Sequence, residues 1–128
     1  MKIIGIGVDI IRTDRIKSSV KNKNFINRTF GKKELLFFKK KKDKVRHFSK
    51  RFAAKEAFAK SLGTGFRDSL NFKDIQIFND KLGKPYYFIN SKIENLIKKK
   101  KKIKRFKLFL SIADEKEYSI AFTIIQKN

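Results

Sequence analysis

The sequence predicts an α+β domain in which a mainly antiparallel sheet packs against one long helix and several shorter ones. Three observations carry this. The first ten residues read as a strand, residues 44–62 hold a helical repeat, and short alternating runs broken by turn residues follow from residue 70. At 128 residues and 41% hydrophobic, the chain has the material for one domain over 1–128, and its 14 Phe supply bulk in the absence of Trp.

Met1–Ile10 is apolar and largely β-branched, interrupted by two glycines and one acid. Side chains alternate along a strand, so Ile4, Ile6, Val8 and Ile10 share one face, expected to be the core face. The other face carries Ile3, Gly5, Gly7 and Asp9. Glycine weakens a strand; it marks either a bulge, with Asp9 capping the next turn, or close approach by a ligand or another backbone. Thr13 is placed to cap a short helix over 14–21 with Asp14 at its positive end. Residues 24–30 suggest a helical turn ending at Gly31, and 32–40 a second short helix with Leu35, Leu36 and Phe38. Asp43 opens the long helix over 44–62, where Val45, Phe48, Phe52 and Ala59 recur at helical spacing and Gly63 sits at the C-terminal turn.

Strands are then expected over 72–78 and 85–89, joined by Asn79-Asp80-Lys81-Leu82-Gly83. Ser91 is placed to cap a helix over 92–101 with Ile93, Leu96 and Ile97 on one side. Strands over 106–113 and 117–125 form the final hairpin around Asp114-Glu115-Lys116.

With no Cys, the chain has no disulfide framework, thiol nucleophile or Cys-ligated metal. Residues 1–30 lack a signal-peptide pattern and no run reaches membrane-spanning length, so a cytoplasmic protein is expected. The net charge of +22 predicts attraction to something acidic. The excess is lysine, concentrated in Lys39–Lys42 and Lys98–Lys102, whereas readers of phosphates and bases favour the planar fork of Arg.

Several chemistries are excluded. Gly5-Ile6-Gly7 is not a dinucleotide fingerprint, because the third glycine position is Ile10; Gly63-Thr64-Gly65 lacks the Lys-Ser/Thr of a phosphate loop; and the single histidine, His47, cannot supply a histidine metal cluster and is expected on a helix surface. Carboxylate chemistry remains. Glu56 is the one acid in an otherwise apolar or basic stretch, and Phe52, Glu56 and Lys60 lie on one face at i, i+4 and i+8. Either Glu56 and Lys60 form an ordinary surface pair, or Glu56 meets Asp9 and the two hold a hard cation for a pyrophosphate. Lys60 and Arg51 would then neutralise the phosphate charge.

Gly5-Ile6-Gly7-Val8-Asp9-Ile10, then Arg51-Phe52-Ala53-Ala54-Lys55-Glu56-Ala57-Phe58-Ala59-Lys60 and Gly63-Thr64-Gly65, resemble the holo-acyl-carrier-protein synthase group of 4′-phosphopantetheinyl transferases. Asn79-Asp80-Lys81-Leu82-Gly83-Lys84-Pro85 and Leu110–Tyr118 extend the resemblance along the chain. It implies the 4′-phosphopantetheinyl transferase fold and Mg²⁺-dependent transfer of the phosphopantetheine arm of coenzyme A to a serine of apo-acyl carrier protein, in support of fatty acid synthesis. Asp9 and Glu56 match the family's metal ligands and catalytic carboxylates, and Lys60 a lysine near the phosphates, with Arg51 beside it on the same helix. Gly83, Lys84 and Pro85 fall where the family holds the adenine end, and Arg15 where it contacts the carrier protein. The family forms trimers with sites between subunits. Many members carry His where this chain has Asp114. Glu56, Asp9 or a metal-bound water could accept the serine proton, and the residues do not choose among them.

The charge alone equally fits a nucleic-acid- or ribosome-associated basic protein, but that reading leaves Asp9 and Glu56 idle and has no recognised motif. Membrane-surface binding is weaker, because Lys98–Lys102 follows only a short apolar stripe. With Glu56 as its partner, Asp9 gives the glycines an expected role: clearing the strand face so that a metal-bound pyrophosphate can reach it.

Overall fold

The computed structural model describes residues 1–67 and 69–128. The order is β1 (Lys2–Arg12), α1 (Thr13–Ser19), α2 (Lys23–Thr29), α3 (Lys32–Lys39), α4 (Lys44–Ser61), β2 (Gln76–Asn79), β3 (Pro85–Phe88), α5 (Ser91–Lys101), β4 (Phe106–Asp114) and β5 (Tyr118–Lys127). The main sheet is antiparallel in the order β1-β5-β4, and β2 and β3 form a separate antiparallel ladder. Helix α4 lies across β1 and β5, making the α+β arrangement read from the sequence.

The inner and outer faces of β1 are the reverse of the expectation. Ile6, Val8 and Ile10 are exposed, while Gly7 and Ile11 are buried and Asp9 turns inward. The register with β5 slips between Ile3 and Gly5, so a bulge at Ile4 does exist. What decides the face is the helix. A Cβ on Gly7 would stand 1.8 Å from the Ala57 carbonyl oxygen, and one on Gly5 2.3 Å from that of Ser61. The glycines admit the backbone of α4, not a ligand, so close approach wins over apolar alternation as the rule for this strand. Ala53, Ala54 and Ala57 complete the contact, being fully buried and small enough to let helix and sheet meet.

Against the opposite side of α4, the short helices cover a phenylalanine cluster. Phe30 meets Phe38 edge-on at 5.6 Å between ring centroids, Phe38 meets Phe48 at 4.3 Å, and Phe25 stacks on Phe52 at 5.7 Å. Each such buried ring contributes about 1.5–3 kcal/mol of transfer free energy, so this cluster anchors α2 and α3 on α4. Asp43 caps α4 by accepting from the Arg46 N–H, and Gly63 follows it at φ +82°, both as expected.

Other boundaries moved for local reasons. Helix α1 begins at Thr13 with no side-chain cap, because the Thr13 N–H already donates to the Glu117 carbonyl. Asn22, not a residue of the helix, caps α2, and Asn90 replaces Ser91 as the cap of α5. Phe72–Asp74 is a 3₁₀ turn in which the Asp74 carboxylate accepts from the Asn71 N–H, so β2 starts only at Gln76.

Candidate active site

Asp9 and Glu56 come from different elements and enter one field. Gly5 and Gly7 press β1 onto α4, and Asp9, next on the same face, lies where Lys60 reaches it: Lys60 Nζ is 3.0 Å from Asp9 Oδ1 and 3.0 Å from the Val8 carbonyl oxygen. Glu56 stands one turn before Lys60 and is half-buried. Burial, and then the Asp9 charge, push its carboxyl above the ordinary glutamate value, while Lys60 and Arg15 pull it back. Asp9, Lys60 and Arg15 therefore all act on Glu56. Lys60 pairs with Asp9 across the helix–strand contact, not with Glu56 along the helix.

A recessed carboxylate and a half-buried one, with no cluster of three or more His, Asp or Glu among the described residues, make a sparse oxygen donor set. That set fits Mg²⁺, which keeps several positions for water and phosphate oxygens.

Arg51, Gly83 and Pro85 gather in a second place. With His47, Lys50, Asn79 and Ile112 they line a cleft of about 140 Å³. Arg51 is buried; its guanidinium lies 4.4 Å from the centroid of Phe37 and donates to Asn79 Oδ1, whose amide donates in turn to the Gly83 carbonyl. Among the described residues Arg51 Nε has no hydrogen-bond partner, and burial lowers the Arg51 pKa to about 10. The residues expected to handle phosphate thus divide: Lys60 sits with the carboxylates, Arg51 with the Gly83 turn. Lys84 is exposed, tied to the turn through its N–H to Asp80. Arg15 is exposed on α1, beside Glu56 in the field just described.

Three features escaped the sequence reading. Arg46 and Lys50, one turn apart on α4, both face Asp114, at 2.9 and 3.9 Å, so Asp114 ties the end of β4 to the basic start of the helix. Their i, i+4 spacing before Arg51 was a readable signal. His47 is half-buried against Phe37 and Phe38, and burial followed by the Arg51 charge lowers its pKa to about 4, leaving it neutral near pH 7. The third is an ion pair sealed in the core. Lys55 Nζ donates to Glu34 Oε1 at 2.7 Å and to the Phe72 and Ile75 carbonyls, and Glu34 also accepts from the Gly31 and Ile77 N–H groups. Nothing in the spacing of Glu34 and Lys55 announced it.

A strand carboxylate and a helix carboxylate beside cations are a set of groups that would suit phosphate chemistry through a hard cation. The chain belongs to the 4′-phosphopantetheinyl transferase superfamily, whose family model matches residues 5–123. It is a phosphopantetheinyl transferase of the holo-acyl-carrier-protein synthase kind. The holo-[acyl-carrier-protein] synthase of Pelagibacter ubique is 58% identical over 99% of both chains, and that of Clostridium botulinum 41% identical over 97% of this chain and 98% of its own. Among solved structures, the holo-[acyl-carrier-protein] synthase of Neisseria meningitidis superposes with a TM-score of 0.86 at 38% identity, covering 98% of this chain and 99% of that one. The synthase of Bacillus anthracis, solved in complex with CoA (3′,5′-ADP), superposes at 0.82 with 30% identity and complete coverage of both.

Proposed function

We propose that the chain, as one domain over residues 1–128, transfers 4′-phosphopantetheine from coenzyme A to a serine of apo-acyl carrier protein, releasing adenosine 3′,5′-bisphosphate, with Asp9 and Glu56 as the ligands of Mg²⁺. The observation that carries this reading is the meeting of Asp9 on β1 with Lys60 on α4 at 3.0 Å, one helical turn from Glu56. Bound Mg²⁺ would supply charge stabilisation at the pyrophosphate. The chain's own groups do the rest. Lys60 is placed to neutralise phosphate charge, and Arg51 with Gly83, Lys84 and Pro85 offers a cleft for the adenine end. Glu56, held above the ordinary glutamate range, is suited to accept the serine proton. Arg15, exposed and beside Glu56, stands where an acidic carrier protein would bring that serine.

A homotrimer is part of the same reading. Ile6, Val8, Ile10, Phe109, Ile120 and Phe122 are all 39–59% exposed on the outer face of the main sheet. A contiguous apolar face of this kind marks an interface, and a closed symmetric assembly covers it. Among the described residues no helix is long and apolar enough to cross a membrane, and we place the enzyme in the cytoplasm, supplying holo-carrier protein for fatty acid synthesis.

The test is to incubate the protein with coenzyme A, Mg²⁺ and apo-carrier protein and to weigh the carrier. A gain of one phosphopantetheine arm is expected, with the rate reduced by about 100-fold or more in Asp9→Asn and in Glu56→Gln. Full activity in both variants would overturn the assignment.

A further inference from the structure

Asp9 has a cation on it already. Lys60 Nζ sits 3.0 Å from Asp9 Oδ1, and the two side chains differ in freedom: Asp9 is 14% exposed and fixed on a strand, Lys60 is 53% exposed on a long flexible stem. The ammonium has one further anchor, the Val8 carbonyl. Its charge also opposes the effect of Asp9 on Glu56, so it serves as the internal counter-ion of both carboxylates. A divalent cation between Asp9 and Glu56 would compete for the same carboxylate and meet a like charge a few ångströms away.

We propose that Lys60 holds the place of the divalent cation at Asp9, so that metal and coenzyme A bind as a coupled pair. Resting on the reading of Asp9 and Glu56 as metal ligands, this adds a rule for the order of events at that site. Without coenzyme A, Lys60 stays on Asp9 and the metal binds weakly. The pyrophosphate of coenzyme A offers Lys60 a second anionic partner; when Lys60 turns to it, the Asp9 carboxylate is released to the metal. Positive charge at Asp9 is exchanged, never removed, and the carboxylate pair is not left uncompensated. By thermodynamic reciprocity, the metal tightens coenzyme A by the same factor as coenzyme A tightens the metal.

Mn²⁺ is the probe, its free concentration read by electron paramagnetic resonance on the full chain, with and without coenzyme A, after subtracting binding to coenzyme A alone. In the wild type, coenzyme A should tighten Mn²⁺ by about fivefold or more. Lys60→Gln should bind Mn²⁺ more tightly than wild type in the absence of coenzyme A, and its coupling factor should fall towards one. An exposed ion pair with no further role would leave both quantities unchanged on substitution. That result, or weaker Mn²⁺ binding by Lys60→Gln alone, overturns the proposal. Asp9→Asn separates the two levels: loss of Mn²⁺ binding upholds the ligand assignment whatever Lys60 does, and retained binding defeats the assignment itself. Equal thermal midpoints for wild type and Lys60→Gln exclude a folding defect as the cause.

Discussion

Lys55 and Lys60 lie five residues apart on one helix, and each faces a carboxylate at hydrogen-bond distance. The Lys55–Glu34 pair is fully buried and every hydrogen bond of the ammonium is taken inside the protein. Beside Asp9, Lys60 is half in water and donates besides to the Val8 carbonyl. The first pair joins α3 and the stretch before β2 to α4 and has nowhere to move; the second spans a strand and a helix at the edge of the proposed site and is, as proposed, the one that exchanges. Two ion pairs of similar length therefore hold opposite offices. Surroundings, more than the pairing, separate a structural lysine from a working one.

Substitution should widen that contrast, beginning with the buried pair. Lys55→Met leaves the Glu34 charge in the core without its partner and should cost about 3–5 kcal/mol, read as a lowered midpoint in urea unfolding. Gly7→Ala acts on one lysine and spares the other. The new methyl must push α4 away from β1, costing about 1–3 kcal/mol and separating Asp9 from Lys60 and Glu56, so Mn²⁺ affinity should fall along with stability. Lys60→Gln, by contrast, should change stability by less than about 1 kcal/mol while lowering the transfer rate by about tenfold or more. A large stability loss in this last variant would erase the distinction between the two lysines.

The smallest effect is a titration. Carbon-13 NMR of the side-chain carboxyl should find Glu56 above the ordinary glutamate range. Lys60→Gln should raise it further and Lys55→Met should leave it in place, since Lys60 but not Lys55 opposes its shift. The sign for stability follows. With the folded value above the unfolded one, the folded chain holds the extra proton, so this group's contribution declines as pH rises from the ordinary glutamate value through the folded one. It should be read as a difference: metal-free wild type should lose stability relative to Glu56→Gln as pH rises through the mildly acidic range, in urea midpoints, while His47, its pKa lowered to about 4, adds the opposite trend to both proteins.

The parts of the fold legible in the sequence were those governed by local periodicity. Helix α4, the order of elements and the final hairpin followed from apolar spacing and turn residues. The orientation of β1 did not, because Ile6, Val8 and Ile10 make as good a core face by alternation as any, and only the position of α4 reveals that the glycine face is the inner one. Asp9, Glu56 and Lys60 could be named as a group because two of them share a helix and the third follows a glycine pair. The placing of Arg51 was not legible, since its neighbours Phe37, Asn79 and Gly83 come from segments far along the chain. Glu34 and Lys55 were invisible for a related reason: charged residues in a lysine-rich sequence look like surface until packing buries them.

A spacing fixed where main chain meets main chain does not depend on side-chain volume. At Gly7 the separation of β1 from α4 is set by the main chain of Ala57 and Ser61 alone, and at Gly5 by the Ser61 carbonyl with the Ile125 side chain beside it. The approach of Lys60 to Asp9 is thereby set at the backbone contact of β1 with α4, apart from the rings of Phe30, Phe38 and Phe48. Repacking Phe30, Phe38 or Phe48 should show as lost thermal stability, while Lys60 keeps its reach to Asp9.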